Sequence, residues 1–329
     1  MTRRHVTLRF RSAGLCCALA AGAGLAAEAP REPAAPTPAP YALVLGIAQD
    51  GGFPQAGTKE SPAWEDPSRR RRVACLALVD PASGERFLLD ATPDLPEQLH
   101  RLDRAAPVDD TPGLAGILLT HAHVGHYGGL IHLGREAMGA RAVPVHAMPR
   151  MAAFLRGNGP WELLLRLGHV ELRPLAEGVP VRLAPQLTAT PLRVPHRDEY
   201  SETVGFLVAG PRRKLLWLPD IDKWERWDEQ GVRLEEVLSG VDVAYLDGTF
   251  FDDGEVPGRA MAEIPHPFVR ETLARLAPLA AAERAKVRFV HLNRTNPLLA
   301  PESAAGRAAR REVAAAGMGV AEEGERIDL

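Results

Sequence analysis

Past residue 27 the chain contains a single cysteine, Cys75, so no internal disulfide can staple it and the fold must rest on burial. Beyond that point it also lacks any apolar run long enough to span a bilayer, and it has no repeat of fixed period, which excludes a membrane-spanning body and a solenoid. The first 27 residues lack acid altogether while carrying Arg3, Arg4, Arg9 and Arg11; their removal takes the formal charge from −3 to −7. An acidic chain argues against nucleic acid as the main partner. What remains is ordinary globular composition, 46% hydrophobic and 25% charged over 329 residues, enough for a sizeable core.

The opening "MTRRHVTLRFRSAGLCCALAAGAGLAAEAP" has an arginine-bearing start, an apolar stretch and small residues where a peptidase would cut. It reads as a secretory signal over residues 1–27; a membrane anchor is the alternative, and the stretch is short for one. Arg3-Arg4 is half of a twin-arginine pattern whose remainder is missing, and no ordered lipobox surrounds Cys16 and Cys17. Residues 28–40 include "REPAAPTPAP" and form an extended Pro/Ala-rich linker. The folded domain is expected over 41–329, in a periplasmic or secreted protein without a stable membrane span.

Short β-rich runs, among them "YALVLGIAQ", "ACLALVD", "RFLLDATPD", "GILLTHAH", "KLLWLPD" and "VRFVHLN", alternate with helical patterns such as "PEQLHRLDR", "YGGLIHLGREAMG" and "DKWERWDEQGVRLEEVL". This predicts a layered α/β domain. Polar residues collect where the strands stop. His121 and His123 follow one strand, His196 another, Asp220 a third and His291 a fourth, so their side chains can converge on one crevice.

Three imidazoles and a carboxylate are what a first-row metal takes in a roughly four-coordinate site with a position left for chemistry. In an extended segment residues i and i+2 share a side, so His121 and His123 can grip one ion, joined by His196 and Asp220. His126 then faces a neighbouring position, with His291 and Asp220 as companions. One ion is expected at the first position, zinc ahead of iron, and a metal-activated water there can attack an ester, amide or phosphodiester bond. The other histidines, His100, His132, His146 and His169, have no such partners and read as structural. "RRRR" at Arg69–Arg72 is either an attractor of anions or a solvated loop, and the "QDGGFPQ" stretch either approaches a ligand or simply turns.

"HAHVGH", "VPH", "LPD" and "HLN", in this order, resemble the metallo-β-lactamase superfamily, and "LGIAQDGGFPQAG", "LDGTFFDD" and "HLNRTNP" resemble its pyrroloquinoline quinone (PQQ) biosynthesis protein B-like branch. The resemblance implies a four-layered αββα sandwich with the metal site at one edge, and a brace rather than a ligand at Asp90 in "LLDATPD". It also implies a substrate-facing role for His266, as general acid, with a helix-opening structural residue as the alternative. Asp220 and His126 join His266 as catalytic candidates.

Two departures stand out. The family's H-x-H-x-D-H has glycine at Gly125, so a second metal is doubtful unless Asp198, Glu199 or Asp222 stands in. No cysteines follow "GGFPQ", so no structural zinc is expected. The resemblance leaves an iron-dependent oxidative enzyme and a non-catalytic metal-holding protein as alternatives to the hydrolase, acting on a small molecule or peptide. Oligomeric state is open.

Overall fold

The computed structural model describes residues 38–256, 261 and 264–329, so the signal and all but the last residues of the linker lie outside the described residues. The strands are β1 (Tyr41–Gly46), β2 (Cys75–Asp80), β3 (Glu85–Leu89), β4 (Gly116–Leu118), β5 (Val143–Ala147), β6 (Val170–Pro174) and β7 (Val181–Ala184). There follow β8 (Leu187–Arg193), β9 (Val204–Ala209), β10 (Lys214–Leu218), β11 (Val243–Asp247), β12 (Val287–Val290), β13 (Gly319–Val320) and β14 (Arg326–Asp328). They form two seven-stranded sheets, ordered β14-β1-β2-β3-β4-β5-β6 and β13-β12-β11-β10-β9-β8-β7.

Each sheet is half antiparallel and half parallel. β3, β4, β5 and β6 run parallel in the first, and β10, β11, β12 and β13 in the second. Parallel strands bring their carboxyl ends to one edge, which is where Asp90, His121, Asp220 and His291 fall. Alternation sorts the apolar side chains. Ala42 and Val44 of β1 join a cluster with Phe206 and Trp217 of the second sheet, while Leu43 and Leu45 join another with Leu95, Leu99 and Leu102 of the helix Leu95–Ala105. With both faces covered, β1 and β2 are buried along their whole length. Sheets inside and helices outside make the layered α/β sandwich expected from the sequence.

Several helical runs are shorter than their patterns. "YGGLIHLGREAMG" gives only the turn Val124–Tyr127 and a 3-10 segment Gly128–Leu133. "DKWERWDEQGVRLEEVL" breaks into Trp224–Glu229 and Leu234–Ser239, because Gly231 takes φ 82° between them. No described helix is long and apolar enough to cross a membrane.

Trp217 is fully buried, and its indole N–H has no hydrogen-bond partner. Trp217→Ala is therefore expected to cost about 4 kcal/mol by opening a cavity. Trp217→Phe should cost less than half as much, since the polar group it removes is unpaired. Urea unfolding of the two variants checks the order.

Candidate metal centre

The crevice is organised by two buried carboxylates that bind no other carboxylate. Asp90 leaves β3 with φ 72°, a left-handed conformation that turns its side chain beneath the metal loop. It accepts hydrogen bonds from Thr120 N (2.8 Å) and Thr120 Oγ1 (2.9 Å) and pairs with His126 Nδ1 at 2.7 Å. Asp247, at the end of β11, accepts from Thr249 N (2.8 Å) and Thr249 Oγ1 (2.7 Å) and pairs with His266 Nδ1 at 2.9 Å. Thr249 Oγ1 in turn meets His291 Nδ1 at 2.9 Å.

These contacts settle which nitrogen faces inward. His121 and His196 have Nδ1 occupied by Thr120 Oγ1 (3.0 Å) and Asp222 Oδ1 (3.1 Å), leaving Nε2 for the crevice. His123 is reversed, with Nδ1 inward and Nε2 3.3 Å from Glu199. Asp220 Oδ2 lies 3.3 Å from His121 Nε2, 3.2 Å from His196 Nε2 and 3.7 Å from His123 Nδ1. Ligands at roughly 2.1 Å around a tetrahedral ion stand about 3.4 Å apart. The four side chains named from the sequence thus already have the spacing of a metal's coordination shell.

A second group forms beside it. His126 and His291 present Nε2 to Asp50 Oδ1 at 3.4 and 3.7 Å, and Asp220 Oδ2 stands 3.9 Å from His126 Nε2. The four residues His121, His123, His196 and Asp220 make one potential cation cage, and Asp50, His126 and His291 another. His266 belongs to a third set with Asp220 and Asp247, but its short Nδ1 contact to Asp247 is a hydrogen bond.

The carboxylates proposed to stand in for the missing loop aspartate do other work. Asp222 braces His196 and takes a contact from Arg226, Glu199 faces the outer nitrogen of His123, and Asp198 meets Arg193 and Thr203. The acid that meets the inward nitrogens of His126 and His291 is Asp50, which sequence reasoning missed. It lies in "QDGGFPQ", quoted above for its glycines and its proline rather than for its acid. The arginine run is also corrected: Arg72 pairs with Glu323 (2.8 Å) and Glu97 (2.6 Å), Arg69 with Asp66 and Glu302, and Arg70 and Arg71 bond main-chain carbonyls. These are structural contacts, and the main chain of Arg71 and Arg72 also pairs with the loop that carries Asp50. His100 and His132 line a separate cavity, and His169 Nδ1 meets Ala140 O at 2.8 Å.

Electrostatics suit a cation. Burial disfavours charge on Asp220, yet His196, His266 and His291 outweigh it and hold the carboxyl well below its usual range. Burial likewise opposes charge on His196, but Asp220 and then Asp222 overcome it and push the imidazole up to about 10. His121, desolvated and beside His126, is held well below the ordinary histidine range and stays neutral, as a ligand must.

Residues 85–292 match the Beta-lactamase superfamily domain, and the coenzyme PQQ synthesis protein B of Methylobacterium sp. (strain 4-46) is 31% identical over 316 residues, covering 88% of this chain and 99% of that protein. The chain belongs to this superfamily, in its PQQ synthesis protein B-like branch. The crystal structure of zinc-bound PqqB from Methylobacterium extorquens superposes with TM-score 0.71 at 25% identity, covering 88% of this chain and all of that one. A diphosphatase of the PhnP family shares the fold, with TM-score 0.60 at 18% identity over 88% of this chain and 96% of that one. Metallo-β-lactamase architecture and a metal-binding crevice are thereby established for the chain.

Two predictions follow from the bracing and the charges. Asp90→Asn cannot accept from both Thr120 and His126, and is expected to lower metal affinity by about 10–100-fold, measured by competition with a chelator. In the metal-free protein the folded pKa of His196 is raised from 6.5 to about 10. Its stabilisation is complete below about 6.5 and is lost as pH rises towards 10. Metal uptake has the opposite slope, because ligands must shed protons. Melting temperature of chelator-treated protein should therefore fall between pH 6.5 and 9.5 while metal affinity climbs; a flat profile would contradict the first half.

Proposed function

We propose that the chain is an exported, zinc-dependent hydrolase acting on an ester, amide or phosphodiester bond of a small anionic molecule or peptide. The observation that carries the reading is the pair of adjacent histidine and carboxylate cages, with Asp220 Oδ2 of the first 3.9 Å from His126 Nε2 of the second, beside an open cavity of about 300 Å³. That cavity is lined by His266, Arg197, Arg294, Gln49 and Asn293, a cationic and hydrogen-bonding wall suited to a phosphodiester or carboxylate. A larger cavity of about 530 Å³ lies at the start of β3, β4 and β5, away from every site residue, and plays no part.

Bound in the crevice, zinc would supply Lewis acidity and an acidified water. His121, His123, His196 and Asp220 hold it, and Asp90 and Asp222 fix the orientation of the rings. Arg197 and Arg294 draw the anionic substrate towards His266. Burial opposes a charge on His266, but Asp247 and Asp220 outweigh it and raise its pKa. With Nδ1 tied to Asp247, the proton His266 can deliver to a leaving oxygen sits on Nε2.

A second reading, an iron-dependent oxidative enzyme, draws on membership of the PQQ-related branch; iron as the metal found in protein from its native compartment would favour it. Export rests on the N-terminal segment, and a mature N-terminus near residue 28 in the periplasmic fraction is its test.

For the hydrolase, zinc-loaded protein is assayed on ester, amide and phosphodiester panels. His196→Ala should abolish turnover, and His266→Ala should lower it by about 10²–10⁴-fold for poor leaving groups and much less for activated nitrophenyl ones. Failure of the zinc-loaded protein on all three bond classes would sink the proposal.

A further inference from the structure

We infer that Asp50 is the carboxylate of a second metal position, donated from the loop after β1, and that residue 125 is glycine because this carboxylate fills the space a side chain there would need. The inference rests on the metal centre described above and does not depend on the reaction it performs.

Three observations carry it. Asp50 Oδ1, His126 Nε2 and His291 Nε2 are all buried, and none has a hydrogen-bond partner. Buried polar atoms are seldom left so, and a shared cation satisfies all three at once. Their separations, 3.4 and 3.7 Å from the oxygen to each nitrogen, are those of neighbouring ligands on one ion rather than of aligned hydrogen bonds.

Second, the other ring nitrogens are already spoken for. His126 Nδ1 is on Asp90 and His291 Nδ1 on Thr249, so each ring is held with Nε2 as the free donor. His291 is held there by a backbone at φ 62°, a costly conformation for a residue with a side chain.

Third, a Cβ added to Gly125 would lie 2.1 Å from Asp50 Oδ1 and 2.6 Å from Asp50 Cα. Both are closer than real contacts allow, and the second is to main chain, which cannot swing aside. A carboxylate at 125 and one at 50 are thus alternative ways to complete the same site. The loop bearing Asp50 is also fixed. Gln49 N donates to Leu292 O and Leu292 N to Ile47 O, both at 2.8 Å, and Ile47 N donates to Arg72 O at 2.8 Å. Asp50 is therefore stitched directly beside His291.

The test counts zinc per chain by elemental mass spectrometry on the full-length protein, after equilibration with buffered zinc and removal of loose ions. The unmodified protein is expected to hold two, and the near-isosteric Asp50→Asn to hold one. Gly125→Ala removes no ligand atom, yet by displacing Asp50 it should also fall to one. A single zinc in the unmodified protein, or two retained in either variant, would overturn the inference. Circular dichroism establishes that each variant is folded; should Gly125→Ala not fold, Asp50→Asn decides alone. Two zincs in the unmodified protein, falling to one in this pattern, without any hydrolysis would defeat the hydrolase reading and leave this one standing.

Discussion

A carboxylate buried against an imidazole is the contact on which this crevice depends. Asp90 and His126 are both fully buried and meet at 2.7 Å. Such a pair is costly unless every lone pair is used, and here the threonine next to the metal loop uses the rest. The second sheet repeats the device with Asp247, Thr249 and His266. In each sheet an aspartate at the end of a parallel strand holds a histidine from another segment, with a threonine that comes from the segment after β4 for Asp90 and from two residues further along the chain for Asp247. The strands must therefore be in register before the rings can point anywhere useful.

Much of this was legible in the sequence. The strands are short apolar runs bounded by polar residues and can be drawn from hydrophobic pattern alone, and the histidines fall where those strands stop. His121, His123, His196 and Asp220 could be grouped because each ends or follows a strand. The helices were less legible, since Gly134 and Gly231 break runs whose periodicity continues past them. Asp50 could not be grouped at all. It follows no strand directly, its loop is quoted for glycines, and its relation to Gly125 is one of occupied volume, which a one-dimensional pattern does not carry. The clue present in the sequence was the missing acid itself, which required a donor from somewhere else.

Membership of a branch and the chemistry of a site are separate facts here. The fold neighbours span proteins of different activity, and one scaffold supports many reactions through its loops. This chain carries an acid in the first loop, a glycine in the metal loop, and a cavity wall with Arg197, Arg294 and His266.

The edge pairing of the first sheet has a consequence for how the chain is made. β1 lies between β2 and β14, with Tyr41 opposite Asp328 and Leu329 N bonded to Pro40 O at 2.8 Å. The earliest strand is completed by the latest, so the first sheet closes only when the last residues have left the ribosome. Contacts of such span make folding slow, because the loop-closure entropy between the first and last strands must be met before their pairing rewards it.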